Sequence, residues 1–353
     1  MSSKVLFMLN SKQLQLLDYI KDSPSQSSKE IFEGVKHLAS YATIKRILAS
    51  LVAEKLIVTI GKGKVTKYIL SPTYELFYPI DMELYYEKEI DDRTIKENFN
   101  LSLITAVLPT TSLFTDDELE KLEGLQNKYL TNISQLSSFE FNKELERLAI
   151  DLSWKSSQIE GNTYSLLETE RLIKDKETAS GRSKEEAVML LNHKDAIDFM
   201  IENPDYLNPL SVSKIEDIHS MLTKELGVNR NIRNRRVGIS GTNYRPLDNE
   251  FQIRESLLRM CNLINEKTSI FEKALLTLIL ISYIQPFMDG NKRTARIVSN
   301  AIFMNYKYCP ISFRTVDAIS YKKAMLLFYE QNNINAFKAI FINQFEFAVN
   351  TYF

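Results

Sequence analysis

The chain has 353 residues, 44% of them hydrophobic and 25% charged, with a net charge of −1. This is the balance of a soluble globular protein with room for two or three domains, and it excludes a disordered chain or a uniformly basic nucleic-acid coat. The cysteines, Cys261 and Cys309, suit a reducing cytosol and the three histidines, His37, His193 and His219, have no metal-site spacing, so a cytoplasmic protein without a structural metal cluster is expected. The first ten residues lack a signal-peptide layout. The most apolar run, Ala274 to Ile284, is about half of a membrane span and reads as a core helix.

Residues 1–72 read as a separate module. Leu14, Leu17 and Ile20 mark an amphipathic helix. Ser28 is placed to cap a short second helix near Lys29–Val35. Ser40 is placed to cap a third, with Ile44, Leu48, Leu51 and Val52 on its buried side. Two β-rich runs, Leu56–Ile60 and Val65–Leu70, flank the turn Gly61-Lys62-Gly63-Lys64 and predict a hairpin. Three helices and a hairpin resemble a winged helix-turn-helix, with Ala42–Leu48 as its recognition helix. Between residues 25 and 70, eight Lys/Arg stand against three acids, an excess of five. Thr43, Lys45, Arg46, Lys62 and Lys64 are therefore candidate DNA contacts. The alternative is a protein-interaction or dimerisation wing.

Residues 73–110 carry many charges between prolines and read as a linker with some helix. From Thr115 the pattern is almost entirely helical. Thr115-Asp116-Asp117-Glu118 has the form of a capping box for a helix to about Leu136. Another helix covers about Glu140 to Ile159. Further helical patterns lie near 165–175, 183–203, 211–225, 250–266, 270–284, 291–306 and 317–328, with a last one from about 335. His219 reads as a packing or capping residue.

Three segments stand out in this region. Ser156-Ser157-Gln158-Ile159-Glu160-Gly161-Asn162 closes a helix, with Gly161 as its C-cap. Arg233 to Pro246 contains Val237, Ile239 and a Gly241-Thr242-Asn243 turn, which predict a small hairpin. Gln285-Pro286-Phe287-Met288-Asp289-Gly290-Asn291-Lys292-Arg293-Thr294-Ala295-Arg296 joins the apolar helix to another helix. Gly290 permits a sharp turn. The amides of Asn291, Lys292 and Arg293 then open a helix and favour an anion. Arg293 and Arg296, three residues apart, share a face and suit one polyphosphate. Asp289 is placed to hold Mg²⁺ between phosphates.

This last segment resembles the signature of the Fic (Fido) family, His-Pro-Phe-x-Asp/Glu-Gly-Asn-Gly/Lys-Arg-x-x-Arg. Family members mostly transfer AMP from ATP to a hydroxyl of a protein. The resemblance covers roughly residues 100–350. It implies a mainly α fold, with a Fic-type helical core and a small β-hairpin flap, preceded by the winged helix. The implied layout is 1–72 winged helix-turn-helix, 73–110 linker and 111–353 Fic region. Within that region the inhibitory helix is about 141–160 and the core about 183–350. The implied cofactors are ATP and Mg²⁺. Gly290, Asn291, Lys292, Arg293 and Arg296 would bind nucleotide, Asp289 the metal, and Asn291 and Arg293 would also take part in catalysis. Ser156, Glu160 and Gly161 match the family's Ser/Thr-x-x-x-Glu-Gly/Asn inhibitory motif, whose Glu pairs with the second signature arginine, here Arg296. Ile239, Gly241 and Thr242 would hold a target segment by strand addition.

Two positions depart from the commonest pattern. Gln285 stands where the family has its catalytic histidine, and an amide takes no proton near neutral pH. General-base catalysis supplies about 10²–10⁴ in rate, so a weakened protein adenylyltransferase is expected. Lys292 replaces a glycine. It is a familiar variant, including in the Doc branch, which transfers phosphate, although Arg296 favours AMP transfer. The competing expectation is a non-catalytic regulator that senses nucleotide and binds DNA. The expected partners are a protein with a modifiable hydroxyl and DNA through the winged helix. No membrane partner is expected, and the oligomeric state stays open between monomer and homo-oligomer.

Overall fold

The structure, a computed structural model, describes residues 9–353, with the side chain of Lys64 outside the described set. The chain forms two compact units. One holds the described residues up to Pro79 together with Thr110–Asp116, and the other holds Ile80–Pro109 and Asp117–Phe353.

In the smaller unit, α1 (Ser11–Asp22) starts in a reciprocal capping box between Asn10 and Gln13 and buries Leu16, Leu17 and Ile20. Leu14, expected inside, is 39% exposed; Leu16 occupies the buried stripe. The second helix, α2 (Ser28–Val35), is capped by Ser27 rather than Ser28, because Glu30 at the third helical position answers Ser27. Ser40 caps α3 (Tyr41–Ala53), whose buried face is Ile44, Leu48 and Leu51, while Val52 is half-buried. Strands β1 (Ile57–Ile60) and β2 (Lys67–Leu70) pair antiparallel with Ile57 opposite Leu70. Helix α4 (Pro72–Leu76) follows directly and buries Tyr74 and Leu76.

The larger unit is helical apart from extended segments. Residues 80–109, within the stretch read as a linker, hold α5 (Met82–Glu87) and a π-helical turn at Leu103–Val107. The remaining helices are α6 (Asp116–Ile133), α7 (Ser138–Ile159), α8 (Leu166–Asp175), α9 (Lys184–Glu202) and α10 (Val212–Leu222). They continue as α11 (Glu250–Glu266), α12 (Ile270–Ile284), α13 (Asn291–Asn305), α14 (Ala318–Gln331) and α15 (Asn335–Tyr352). Reciprocal capping boxes start α7, α8 and α9. The fold is thus mainly α with one small two-stranded antiparallel ladder among the described residues.

Helix α12 is buried from Phe271 through Ile284. Its apolar character all round is that of a helix enclosed by others, and α11, α13 and α14 pack against it. No helix among the described residues is long and apolar enough to cross a membrane. Leu280 is fully buried there. Leu280→Ala should cost about 2–5 kcal/mol, the transfer loss plus the cavity. Leu167→Ala, at a side chain 77% exposed, should stay within about 0.5 kcal/mol. Urea unfolding of both variants checks this; equal midpoints would mean that α12 is not the core.

Candidate active site

The site forms where α12 ends and α13 begins. Gln285 ends α12 in the left-handed region (φ 52°) and Gly290 precedes α13 in the same region (φ 80°). A Cβ on Gly290 would come within 3.3 Å of the Thr223 methyl and 3.4 Å of the His219 ring. The left-handed backbone favours glycine there, and a side chain would also need Thr223 or His219 to give by a few tenths of an ångström. The side chain of Asn291 staples the turn: its Oδ1 accepts from Phe287 N–H (2.8 Å), and its Nδ2 donates to Phe287 O (2.8 Å) and Gln285 Oε1 (3.0 Å). No side chain caps α13, so its leading amides can accept an anion.

Two residues hold this turn from behind: Arg233, which had no assigned role in the sequence, and His219, read there as a packing or capping residue. Arg233 is buried; its Nε donates to Gln285 O (2.7 Å) and its backbone N–H to Pro286 O (2.9 Å). His219 stacks on Phe287 with ring centroids 3.6 Å apart, and its Nε2 lies 3.0 Å from Asp289 O. Burial lowers the His219 pKa despite its two carbonyl neighbours, Asp289 and Arg230. His219 thus packs against Phe287 and braces the turn at Asp289 O.

Arg293 and Arg296 are 2% and 0% exposed. Arg293 Nη2 pairs with Asp289 Oδ2 at 2.9 Å. Arg296 Nη2 meets Glu160 Oε1 at 2.9 Å, 136 residues away in sequence. The other carboxylate oxygen of Glu160 lies 3.4 Å from Lys292 Nζ. Burial alone would raise the Glu160 pKa, but Arg296 and Lys292 outweigh it and hold the carboxyl below its ordinary value. Ser156 anchors the same guanidinium: Arg296 Nε donates to Ser156 Oγ (2.7 Å) and Nη2 to Ser156 O (2.9 Å). His193 Nε2 lies 2.8 Å from Ser156 Oγ. Its burial, reinforced by Arg293 and Arg296, pushes its pKa well below the usual histidine range. Sequence reasoning missed His193; the signal was a lone histidine on the helix facing α7. Gly161, just past α7, takes φ 104°, as expected of a C-cap glycine.

Glu160 therefore ties up one donor of Arg296 and the Lys292 ammonium. Arg293 Nη1 and Arg296 Nη1 are buried without a hydrogen-bond partner among the described residues. Buried cationic donors left open are costly unless a ligand completes them. Arg293 lines a cavity of ≈ 330 Å³ with Glu160, Gln285, Asp289 and Lys292, and Arg296 is linked to it through Glu160. Lys322, Met325 and Leu326 of α14 also line it and had no signature in the sequence.

Gln285 is 8% exposed. Its Nε2 donates to Ser282 O (2.6 Å) and its Oε1 accepts from Asn291. Both ends of the amide serve the turn. Asp289 is an open carboxylate at the turn, its side chain 66% exposed. Mg²⁺ is commonly held by one or two carboxylates plus substrate phosphates, and Asp289 fits that mode.

Val237, Gly238, Ile239 and Ser240 form the opposite wall of the cavity. The hairpin expected here is absent: 237–243 carries no strand and turns at Ser240–Gly241, and the hairpin among the described residues is β1–β2. Backbone groups at the end of this stretch bond to other segments. Arg93 Nη2 donates to Gly241 O (3.3 Å), Arg245 N–H to Glu97 O (2.6 Å), and Pro246 has no N–H to offer. Gly241 sits at φ 91°. Thr242 Oγ1 accepts from Tyr244 N–H, and Ile239 faces the cavity.

Comparison with known proteins agrees with this geometry. The Fic/DOC family model matches residues 209–303. A protein adenylyltransferase Fic from Nematostella vectensis is 25% identical over 227 residues, 61% of this chain and 51% of that protein. The chain thus spans about half the length of this curated relative. Fic-1 from C. elegans superposes with a TM-score of 0.58 at 18% identity, covering 67% of this chain and 72% of that one. A Fic-domain signalling protein from Bacteroides thetaiotaomicron gives 0.55 at 18% identity, covering 65% and 92%. At these identities the solved structures speak for the fold alone. Residues 209–303, which carry the turn and both arginines, are the stretch that matches the Fic/DOC family model.

Proposed function

We propose that the chain binds ATP at the α12–α13 turn and is built to transfer AMP to a hydroxyl of a protein, restrained by Glu160 and weakened by Gln285. The observation that carries this reading is the uncapped start of α13 beside two buried arginines with open donors. The adenylyltransferase relative supports ATP as the substrate class. In the transfer, a target Ser, Thr or Tyr oxygen attacks the α-phosphorus. The new O–P bond forms as the bond to the bridging oxygen breaks, and pyrophosphate leaves.

The amides of Asn291, Lys292 and Arg293 and the Arg293 guanidinium would stabilise the charge that develops on the phosphates. Arg296, released from Glu160, would take the terminal phosphate. Mg²⁺, held by Asp289 and phosphate oxygens, would neutralise further charge. Ile239, Gly241 and Thr242 lie on the segment that would hold the target, which would have to become a strand edge on binding to pair with it. Gln285 hydrogen-bonds but cannot carry the hydroxyl proton away, so that proton passes to solvent and the rate falls. Positioning and electrostatics remain.

ATP labelled at the α-phosphate, incubated with the protein and a lysate, tests the reading. Label should enter protein, weakly in the native chain and more strongly in Glu160→Gly. Arg293→Ala should abolish it. Label entering only from γ-labelled ATP would replace AMP transfer by phosphate transfer and point to Lys292.

A second reading rests on Gln285 alone. Its amide is spent at both ends on the turn, which suits a nucleotide sensor without catalysis. Nucleotide binding with no label transfer in any variant would favour it.

A further inference from the structure

The smaller unit carries a surface that the nucleotide site does not use. Helix α3 buries Ile44, Leu48 and Leu51. Its opposite face shows Ala42, Lys45, Arg46 and Ala49 to solvent, positions spaced as one helical stripe. The helix contains no acidic residue. Glu54, just beyond it, accepts from Ser50 Oγ at 2.6 Å. None of Lys12, Lys45, Arg46 and Lys62 has an ion-pair partner among the described residues. Lys45 rests 5.8 Å over the ring of Tyr41, which is itself held edge-on against Phe32. An open groove beside α3 is lined by Lys12, Thr43, Arg46, Ile47 and Ser50. Lys62 stands exposed in the turn between β1 and β2.

We infer that this face docks duplex DNA, with α3 entering the major groove and Lys12, Lys45 and Arg46 meeting phosphates. Three features favour this occupant. The cations are unpaired, so they need not break internal ion pairs to bind phosphate. The two alanines let the α3 backbone approach closely, and the B-DNA major groove is wide enough for one helix. A helix packed against a second helix and a strand, with one polar, basic face outward, is the arrangement that helix-turn-helix proteins present to DNA. Duplex RNA is a poor fit, because its major groove is too deep and narrow. The inference stands on the smaller unit alone and is independent of whether the larger unit transfers anything.

The test uses the full chain and a fluorescein-labelled 30-base-pair duplex of mixed sequence, read by anisotropy over a salt series. Lys45→Glu/Arg46→Glu should weaken binding by about 10–100-fold and reduce the slope of log affinity against log salt by about 2, because two phosphates are no longer neutralised. Lys143→Glu/Lys184→Glu makes the same charge change on exposed residues of the larger unit and should leave the affinity within about twofold. Ala49→Glu, a single change at an exposed site, should weaken binding on its own and serves if the double variant unfolds. The inference is overturned by salt-independent binding, by equal weakening in the Lys143/Lys184 control, or by equal affinity for duplex RNA. It is equally overturned if well-folded Ala49→Glu binds like the native chain.

Discussion

Gln285→His in a Glu160→Gly background is expected to raise AMP transfer, or auto-modification, by about 10²–10⁴ over Glu160→Gly alone. The native amide donates to Ser282 O and accepts from Asn291. An imidazole there can donate from one nitrogen to Ser282 O and keep the lone pair of the other for the hydroxyl proton. Histidine titrates near physiological pH, so it can hold and release that proton. Asn291 loses one acceptor but keeps Phe287 O, so the turn survives. Asp289, Gly290, Asn291 and Arg293 need no change. The measurement is label from α-labelled ATP in protein bands, with calorimetry of Mg²⁺–ATP binding beside it. Binding without label in the double variant would show that position 285 is not what limits transfer.

Glu160→Gly alone is expected to tighten ATP binding by roughly 10–100-fold, the value of one or two charge-assisted hydrogen bonds returned to phosphate. It frees Arg296 and Lys292 together, since each oxygen of Glu160 engages one of them. The same change should lower the stability of the nucleotide-free protein. Removing one partner of a buried pair costs about 3–5 kcal/mol. Ser156 still holds Arg296 and Glu160 is 20% exposed, so about 1–3 kcal/mol is expected here. ATP should therefore restore the melting temperature more in the variant than in the native chain. Unchanged affinity by calorimetry would remove Glu160 as a restraint on the site.

The pair also sets a pH dependence. Its cations depress the Glu160 pKa in the folded state. Its contribution to stability is thus complete above the ordinary carboxyl value of 4.5 and is lost as pH falls through the lower folded value. The native chain should lose this part of its stability only in acid, and Glu160→Gly should flatten that limb of the pH–stability curve.

The local grammar of the chain determined much of this protein. Capping residues and apolar periodicity marked most helices to within a few residues, because both act over one or two turns. The Gly290 turn and the helix start at Asn291 were legible, because glycine's freedom at positive φ and the uncapped helix amides are local features; the anion site they suggest remains part of the proposed function. The family resemblance supplied the Glu160–Arg296 pairing, which no periodicity could give across 136 residues. What only the tertiary structure decided lies in contacts without local spacing. Ser27 displaced Ser28 as a cap because Glu30 reached back to it. The 237–243 segment forms no hairpin; Arg93 takes the Gly241 carbonyl and Glu97 the Arg245 amide just beyond it. His193 on Ser156, Arg233 behind Gln285 and the α14 wall of the cavity come from helices far apart in sequence. Such neighbours are set by how helices pack, and packing depends on side-chain shapes summed over the whole core rather than on any one stretch of chain.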